Sequence, residues 1–231
     1  MAEKFRDRLG RWLGRPVDRE HAYELATVSA RVDDTSGGWA SLTGRPQDYD
    51  PGKLLELYQD ALTAWRKNPI AWRIIAITTD YVVGDKLRIS SPYRALNKFL
   101  AEFWNHPQNR FDLRLESMCD ELARSGDLFP VLFRNEVDGM SYVRFVTKDR
   151  IVKIETAPND WENELEYHEQ LENGEIRVWP SMSKPGSDQA PAVMLHYSVN
   201  RPMGAMLGES DLTTMLPWLQ RYSRMLEDRV R

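Results

Sequence analysis

The spacing of apolar residues changes once along the chain, at Gly126, and separates a helical part from a strand-rich part. Before Gly126, apolar residues recur every three or four positions, which is the period of an amphipathic helix. Asn68-Pro69 and Gly84 interrupt the pattern, because proline and glycine favour helix ends. The second helix is apolar on most sides, so we expect it to be deeply buried. The four predicted helices cover residues 52–67, 69–83, 92–104 and 110–125.

After Gly126, apolar and polar residues alternate, which is the period of a half-buried strand. "DLFPVLFRN" and "MSYVRFVTKD" are joined by the turn residues 136–139, and "LEYHEQLENGEIRVWP" predicts a second hairpin around Asn173-Gly174. "RIVKIETA" and "AVMLHYSV" are two further predicted strands. The chain thus has N-terminal helices, then an antiparallel meander sheet, then one long C-terminal helix. That order predicts an α+β fold.

The last segment, residues 208–231, predicts this long amphipathic helix. Ser210 is its candidate N-cap, because a serine hydroxyl can accept a hydrogen bond from a free backbone N–H. Pro217 predicts either a kink or a helix that effectively begins near it. We expect the apolar stripe to contact the chain's own sheet or another subunit, and further polypeptide to follow it. The stripe is formed by Leu212, Leu216, Leu219, Tyr222, Leu226 and Val230.

The first part of the chain has a different character, and we predict an N-terminal arm and flexible linker over residues 1–50, with the α+β domain over 51–231. Residues 3–13 suit a short basic amphipathic helix, whereas residues 31–51 are rich in glycine, proline and small polar side chains. A helix of this kind can lie on a membrane surface. Its short length favours packing against the protein's own body or a neighbouring protein.

Composition and charge argue against several classes of protein. Hydrophobic residues make up 42% and charged residues 29% of the chain, which fits a folded domain rather than a disordered one. The formal net charge of −4 does not favour tight binding to nucleic acid phosphates. Cys119 is the single cysteine, which excludes an internal disulfide and a multi-cysteine zinc site. No uninterrupted apolar run is long enough to predict a membrane-spanning helix.

The sequence contains no catalytic signature. Phosphate-binding glycine loops, the GxSxG nucleophile turn and the HExxH zinc motif do not occur, so we predict no catalytic, cofactor-binding or metal-binding residue. One acidic segment, 160–175, supports an alternative interpretation as a metal-dependent hydrolase or nuclease. The interpretation that we favour is a solvated hairpin face. The acidic residues of this segment are Asp160, Glu162, Glu164, Glu166, Glu169, Glu172 and Glu175.

Several segments together resemble the portal proteins of tailed bacteriophages and prophages. "MLGESDLTTMLPWLQRYSRMLEDRVR" is similar to the portal region in which a strand and a Gly-x-Ser-type turn lead into the long helix toward the stem. "NPIAWRIIAITTDYVVGDKLRI" resembles a buried portal helix that ends in a glycine cap and a short strand. "LNKFLAEFWNHPQNRFDLRLESMCDELARSGDLFPVLF" and "VRFVTKDRIVKIETAPND" match the following wing region in order. The resemblance covers roughly residues 51–231.

The resemblance implies a structural protein without enzymatic activity. Portal subunits form a ring, commonly of twelve copies, at one capsid vertex, and double-stranded DNA passes through the ring without sequence-specific binding. The implied partners are other copies of the chain, terminase, capsid proteins and head-completion or adaptor proteins, with no membrane and no cofactor. The implied location is the virion, and the host cytoplasm during assembly. Portals are usually longer, with stem, clip and crown regions, so we expect this chain to be truncated before them.

Overall fold

The computed structural model describes residues 49–84 and 87–230, which contain five α-helices, two short 3-10 helices and seven strands. The predicted α+β class is confirmed, whereas the predicted helix 3–13 lies outside the described residues. The helices are α1 (Pro51–Lys67), α2 (Pro69–Val83), α3 (Arg94–Asn105), α4 (Phe111–Ser125) and α5 (Leu216–Val230). The strands are β1 (Asp127–Arg134), β2 (Ser141–Val146), β3 (Ile151–Ala157), β4 (Asp160–Gln170), β5 (Ile176–Pro180), β6 (Ala192–Met194) and β7 (Tyr197–Ser198).

The helix boundaries follow the residues that interrupt the sequence pattern. Asn68 ends α1 and also caps α2, because its side-chain oxygen accepts a hydrogen bond of 2.9 Å from the backbone N–H of Ile70. Pro69 occupies the first turn of α2, where its missing N–H costs no helical hydrogen bond. Gly126 ends α4 with a φ of 82°, a left-handed conformation that favours glycine.

Helix α2 is much less buried than its sequence predicts. One face is covered by the chain, through Ala71, Ile75 and Thr79 at intervals of four residues. The opposite side is open, with Ile77 39% and Tyr81 87% exposed. The prediction of deep burial is therefore wrong for this chain, because apolar composition does not show which neighbours the chain itself provides. Among the described residues, no helix is long and apolar enough to cross a membrane.

The strands form two antiparallel sheets. Strand β1 is central in the first sheet, where Val131 lies opposite both Arg144 of β2 and Met194 of β6, and β7 pairs with the first residues of β1. Strands β3, β4 and β5 form the second sheet in sequence order. The predicted meander thus describes β3–β5, whereas β6 and β7 return to β1.

Two apolar cores hold the helices and the two sheets together. The helical core joins α1, α2 and α4 with the beginning of α5, around Ile75 and Leu212, both fully buried. The sheet core joins the two sheets around Phe129 and Met194, also fully buried. Burying one such side chain contributes roughly 1.5–3 kcal/mol relative to leaving it in water.

Candidate functional site

The predicted interface residues of the last helix divide into two groups. Leu212, Leu216 and Leu219 are at most 5% exposed and belong to the chain's own helical core. They pack against helices rather than against the sheet that the sequence suggested, because α5 begins beside α1, α2 and α4. These three leucines are therefore not available to another subunit in this conformation.

The remaining described part of the stripe is open. Tyr222 and Leu226 are each 44% exposed, and the side chain of Val230 lies outside the described part of the structure. Every residue from 220 to 229 is exposed, so the described chain leaves this part of α5 largely open to solvent. Met215, Trp218 and Met225 extend the stripe at spacings of three and four residues, as in the seam of paired helices.

The beginning of the helix differs in one respect from the sequence prediction. α5 begins at Leu216, so Pro217 lies in its first turn, in agreement with a helix that starts near the proline. Ser210 lies six residues earlier and its hydroxyl accepts a hydrogen bond of 3.1 Å from the backbone N–H of Leu212. Ser210 thus caps the turn that precedes the helix rather than the helix itself.

A buried network of charged residues lies where the two sheets meet. His196 occupies the short break between β6 and β7 and is stacked on Phe129, with the ring centres 4.4 Å apart. Its Nε2 lies 3.0 Å from Asp127 Oδ1 and its Nδ1 lies 2.9 Å from Glu164 Oε1. Since an ionised carboxylate only accepts hydrogen bonds, both ring nitrogens must carry protons. The geometry therefore requires an imidazolium between two carboxylates.

Lys148 supplies the second positive charge of this network. Its ammonium lies 2.6 Å from Asp127 Oδ2 and donates to the carbonyl oxygens of Ser125 and Gly208 at 2.9 and 2.8 Å. The backbone N–H of Gly208 donates to Asp127 Oδ1 at 2.8 Å. The exposed fractions of these four charged side chains lie between 0% and 10%. Two cations thus balance two anions, and together they fix the segment that leads into α5.

The surroundings keep His196 charged. Burial alone would lower its pKa, but the hydrogen bonds to Asp127 and Glu164, together with their negative charges, outweigh burial and raise the pKa to about 9. Tyr167 donates to Glu164 Oε2 at 2.6 Å, and burial followed by the negative charge of Glu164 raises the pKa of this phenol. The network therefore stabilises charge, and its burial argues against contact with a substrate.

Because the pKa of folded His196 lies above its ordinary value of 6.5, stability should depend on pH. The folded state keeps a proton that the unfolded state releases, so the stabilisation is complete below pH 6.5 and is lost as the pH rises through about 9. We expect urea titrations to show that the free energy of unfolding falls by on the order of 3 kcal/mol across this window. His196→Gln should remove most of the slope, and an unchanged slope would contradict the assignment.

The acidic segment 160–175 is not one solvated face. Glu164 and Glu169 are buried, which corrects the sequence interpretation for these two residues. Glu164 belongs to the network, and Glu169 accepts a hydrogen bond of 2.8 Å from the indole N–H of Trp179 and pairs with Arg150 at 3.2 Å. Both carboxylates are therefore engaged by protein groups, which weakens the interpretation of this segment as a two-metal hydrolase site.

Sequence reasoning did not find the buried network. The available signals were a charged residue directly after Gly126 at the start of an apolar strand, and a histidine inside the apolar run "AVMLHYSV". Neither signal identifies its partner, because 69 residues separate Asp127 from His196.

Comparisons with known proteins identify a related fold. In sequence, the chain matches no protein-family model and no curated protein. In structure, it is similar to a chain of the virion of a native gene transfer agent (GTA) particle, with a TM-score of 0.52 and 16% identity over 88% of this chain. A chain from the neck of an empty GTA particle, computed with C6 symmetry, gives a TM-score of 0.49 and 15% identity over 88% of this chain. The chain spans about half the length of these structures, 49% and 50%.

Proposed function

We propose that this chain is the wing part of a portal subunit, the head–tail connector of a tailed-phage type of particle. In this proposal, several copies form a ring at one capsid vertex, through which double-stranded DNA is packaged and ejected. Terminase, capsid and head-completion proteins are its further partners. Its place is the virion, and the host cytoplasm during assembly. Its contribution is structural rather than enzymatic.

The observation that carries this proposal is the uncovered apolar stripe of α5. Trp218 is 61% exposed and Met225 47% exposed, on a helix in which every residue from 220 to 229 is exposed. A contiguous apolar surface of this kind is characteristic of a protein interface. The resemblance of residues 51–231 to portal wings and the fold shared with a GTA virion chain support the same assignment.

The open side of α2 provides a second apolar surface. Ile70, Ile77 and Tyr81 follow one another at spacings of seven and four residues on this side and are 43%, 39% and 87% exposed, although α2 is the most apolar of the described helices. A ring requires each subunit to present two different contact surfaces, because its contacts are head-to-tail. The stripe of α5 and the open side of α2 are the two surfaces that we assign to these contacts.

Sedimentation velocity of the intact chain over a wide concentration range tests the proposal. We expect concentration-dependent self-association of the wild type and a monomer for the variant Tyr222→Glu/Leu226→Glu, because two carboxylates would be buried without partners. The matched control is Gln220→Glu/Arg224→Glu, which has the same spacing on the opposite side of α5 and makes the charge more negative still. It should associate like the wild type. A wild type that stays monomeric at all concentrations would overturn the proposal.

A further inference from the structure

Two neighbouring strands bring a histidine and two glutamates together. Glu155 of β3 lies opposite Glu166 of β4 in the strand register, and His168 follows two residues later on the same face of β4. His168 Nε2 is 3.5 Å from Glu155 Oε1 and 4.0 Å from Glu166 Oε2. All three ligand atoms lie within 4.8 Å of one another.

The imidazole of His168 distinguishes this cluster from exposed carboxylates alone, because it adds a ring nitrogen that is shielded from solvent. Its Nε2 is shielded from solvent and has no hydrogen-bond partner, although the side chain as a whole is 17% exposed. A buried polar atom without a partner costs about 1–3 kcal/mol. The unsatisfied nitrogen faces both carboxylates, which is the position from which it could complete a set of metal ligands.

We propose that Glu155, Glu166 and His168 bind one divalent ion of the zinc class. One imidazole nitrogen and two carboxylate oxygens are ligands that suit zinc, whereas magnesium and calcium prefer oxygen ligands alone. Zinc binds such atoms at about 2.0–2.2 Å, so the three groups need only small side-chain rotations to reach one ion. Water would complete the coordination, and the bound ion would connect β3 to β4.

Two lysines compete with the ion for the carboxylates. Lys153 Nζ lies 2.5 Å from Glu155 Oε1, and Lys184 pairs with Glu166 Oε1. The hydrogen bond from Lys153 lowers the pKa of the Glu155 carboxyl, which keeps this ligand ionised. Both lysine side chains are partly exposed, 61% and 40%, and can turn towards solvent when the ion binds. Their competition predicts that removing a lysine strengthens metal binding.

Titration calorimetry of the intact chain with zinc chloride tests this site independently of the portal proposal, because it does not depend on self-association. We expect the wild type to bind one ion per chain. His168→Ala and Glu166→Gln should each weaken the affinity for zinc roughly tenfold or more, and Lys153→Gln should strengthen it. His106→Ala is the matched control, because His106 lies at the end of α3, and it should bind like the wild type. Circular dichroism of each variant confirms that the fold is retained.

Each outcome of these titrations is decisive. A nitrogen NMR shift of His168 Nε2 on addition of zinc, absent for His106, would support direct coordination. No heat of binding in the wild type would overturn the proposal. Equal affinity of the wild type and both ligand variants would also overturn it, because the zinc would then bind elsewhere on the chain.

Discussion

Asp127→Ala is expected to lower the free energy of unfolding by about 3–5 kcal/mol, the cost of removing one partner from a buried ion pair. The Asp127 carboxylate is fully buried, and it contacts His196, Lys148 and the backbone N–H of Gly208. Its removal would leave two buried cations facing a single anion, Glu164. Urea or guanidinium unfolding followed by circular dichroism measures the loss.

Two further variants help to interpret this loss of stability: one separates the charge of Asp127 from its shape, and the other is a control at an exposed carboxylate. Asp127→Asn keeps the volume of the side chain but removes the charge, so most of the loss should remain. Asp228→Ala removes a carboxylate from the exposed part of α5 and should change stability by less than about 0.5 kcal/mol. A loss at Asp127 no larger than that at Asp228 would show that the network contributes nothing to stability.

Gly208→Ala should destabilise the protein to a similar extent. We expect the free energy of unfolding to fall by more than about 3 kcal/mol, or the chain not to fold. A Cβ at this position would overlap the carbonyl oxygens of both Gly126 and Val199. These atoms belong to the backbone and cannot turn aside, since Val199 N–H donates to Gly126 O at 2.9 Å and Glu209 N–H donates to Val199 O at 3.2 Å. Soluble yield and thermal unfolding report the effect.

Gly139→Ala is the control for this prediction. Gly139 has a φ of 67°, but an added Cβ would meet nothing within 4 Å. This substitution should cost only the conformational penalty of a left-handed residue, about 1–2 kcal/mol. If the two alanine variants were equally stable, close backbone packing at Gly208 would not be the cause.

The sequence predicts the helices well because local signals mark their ends. Asn68-Pro69, Gly84 and Gly126 set the limits of α1, α2 and α4 to within one residue of the predicted positions. Such residues act through their own backbone conformation, so no distant contact is needed to interpret them. The α+β order follows from the same local information.

Long-range contacts are the part that the sequence does not predict. The return of β6 to β1 depends on pairing between distant segments, and so does the contact of Asp127 with Gly208 across 81 residues. The exposure of α2 was missed for a related reason. Hydrophobicity predicts that a surface needs cover, but it does not distinguish cover by the same chain from cover by another protein.

The ammonium of Lys148 also has a mechanical consequence. It joins the end of α4, the start of β1 and the residue that leads into the last helix through three short contacts. Displacing the segment that leads into α5 would therefore require these contacts to break, so the position of this segment is coupled to that of β1.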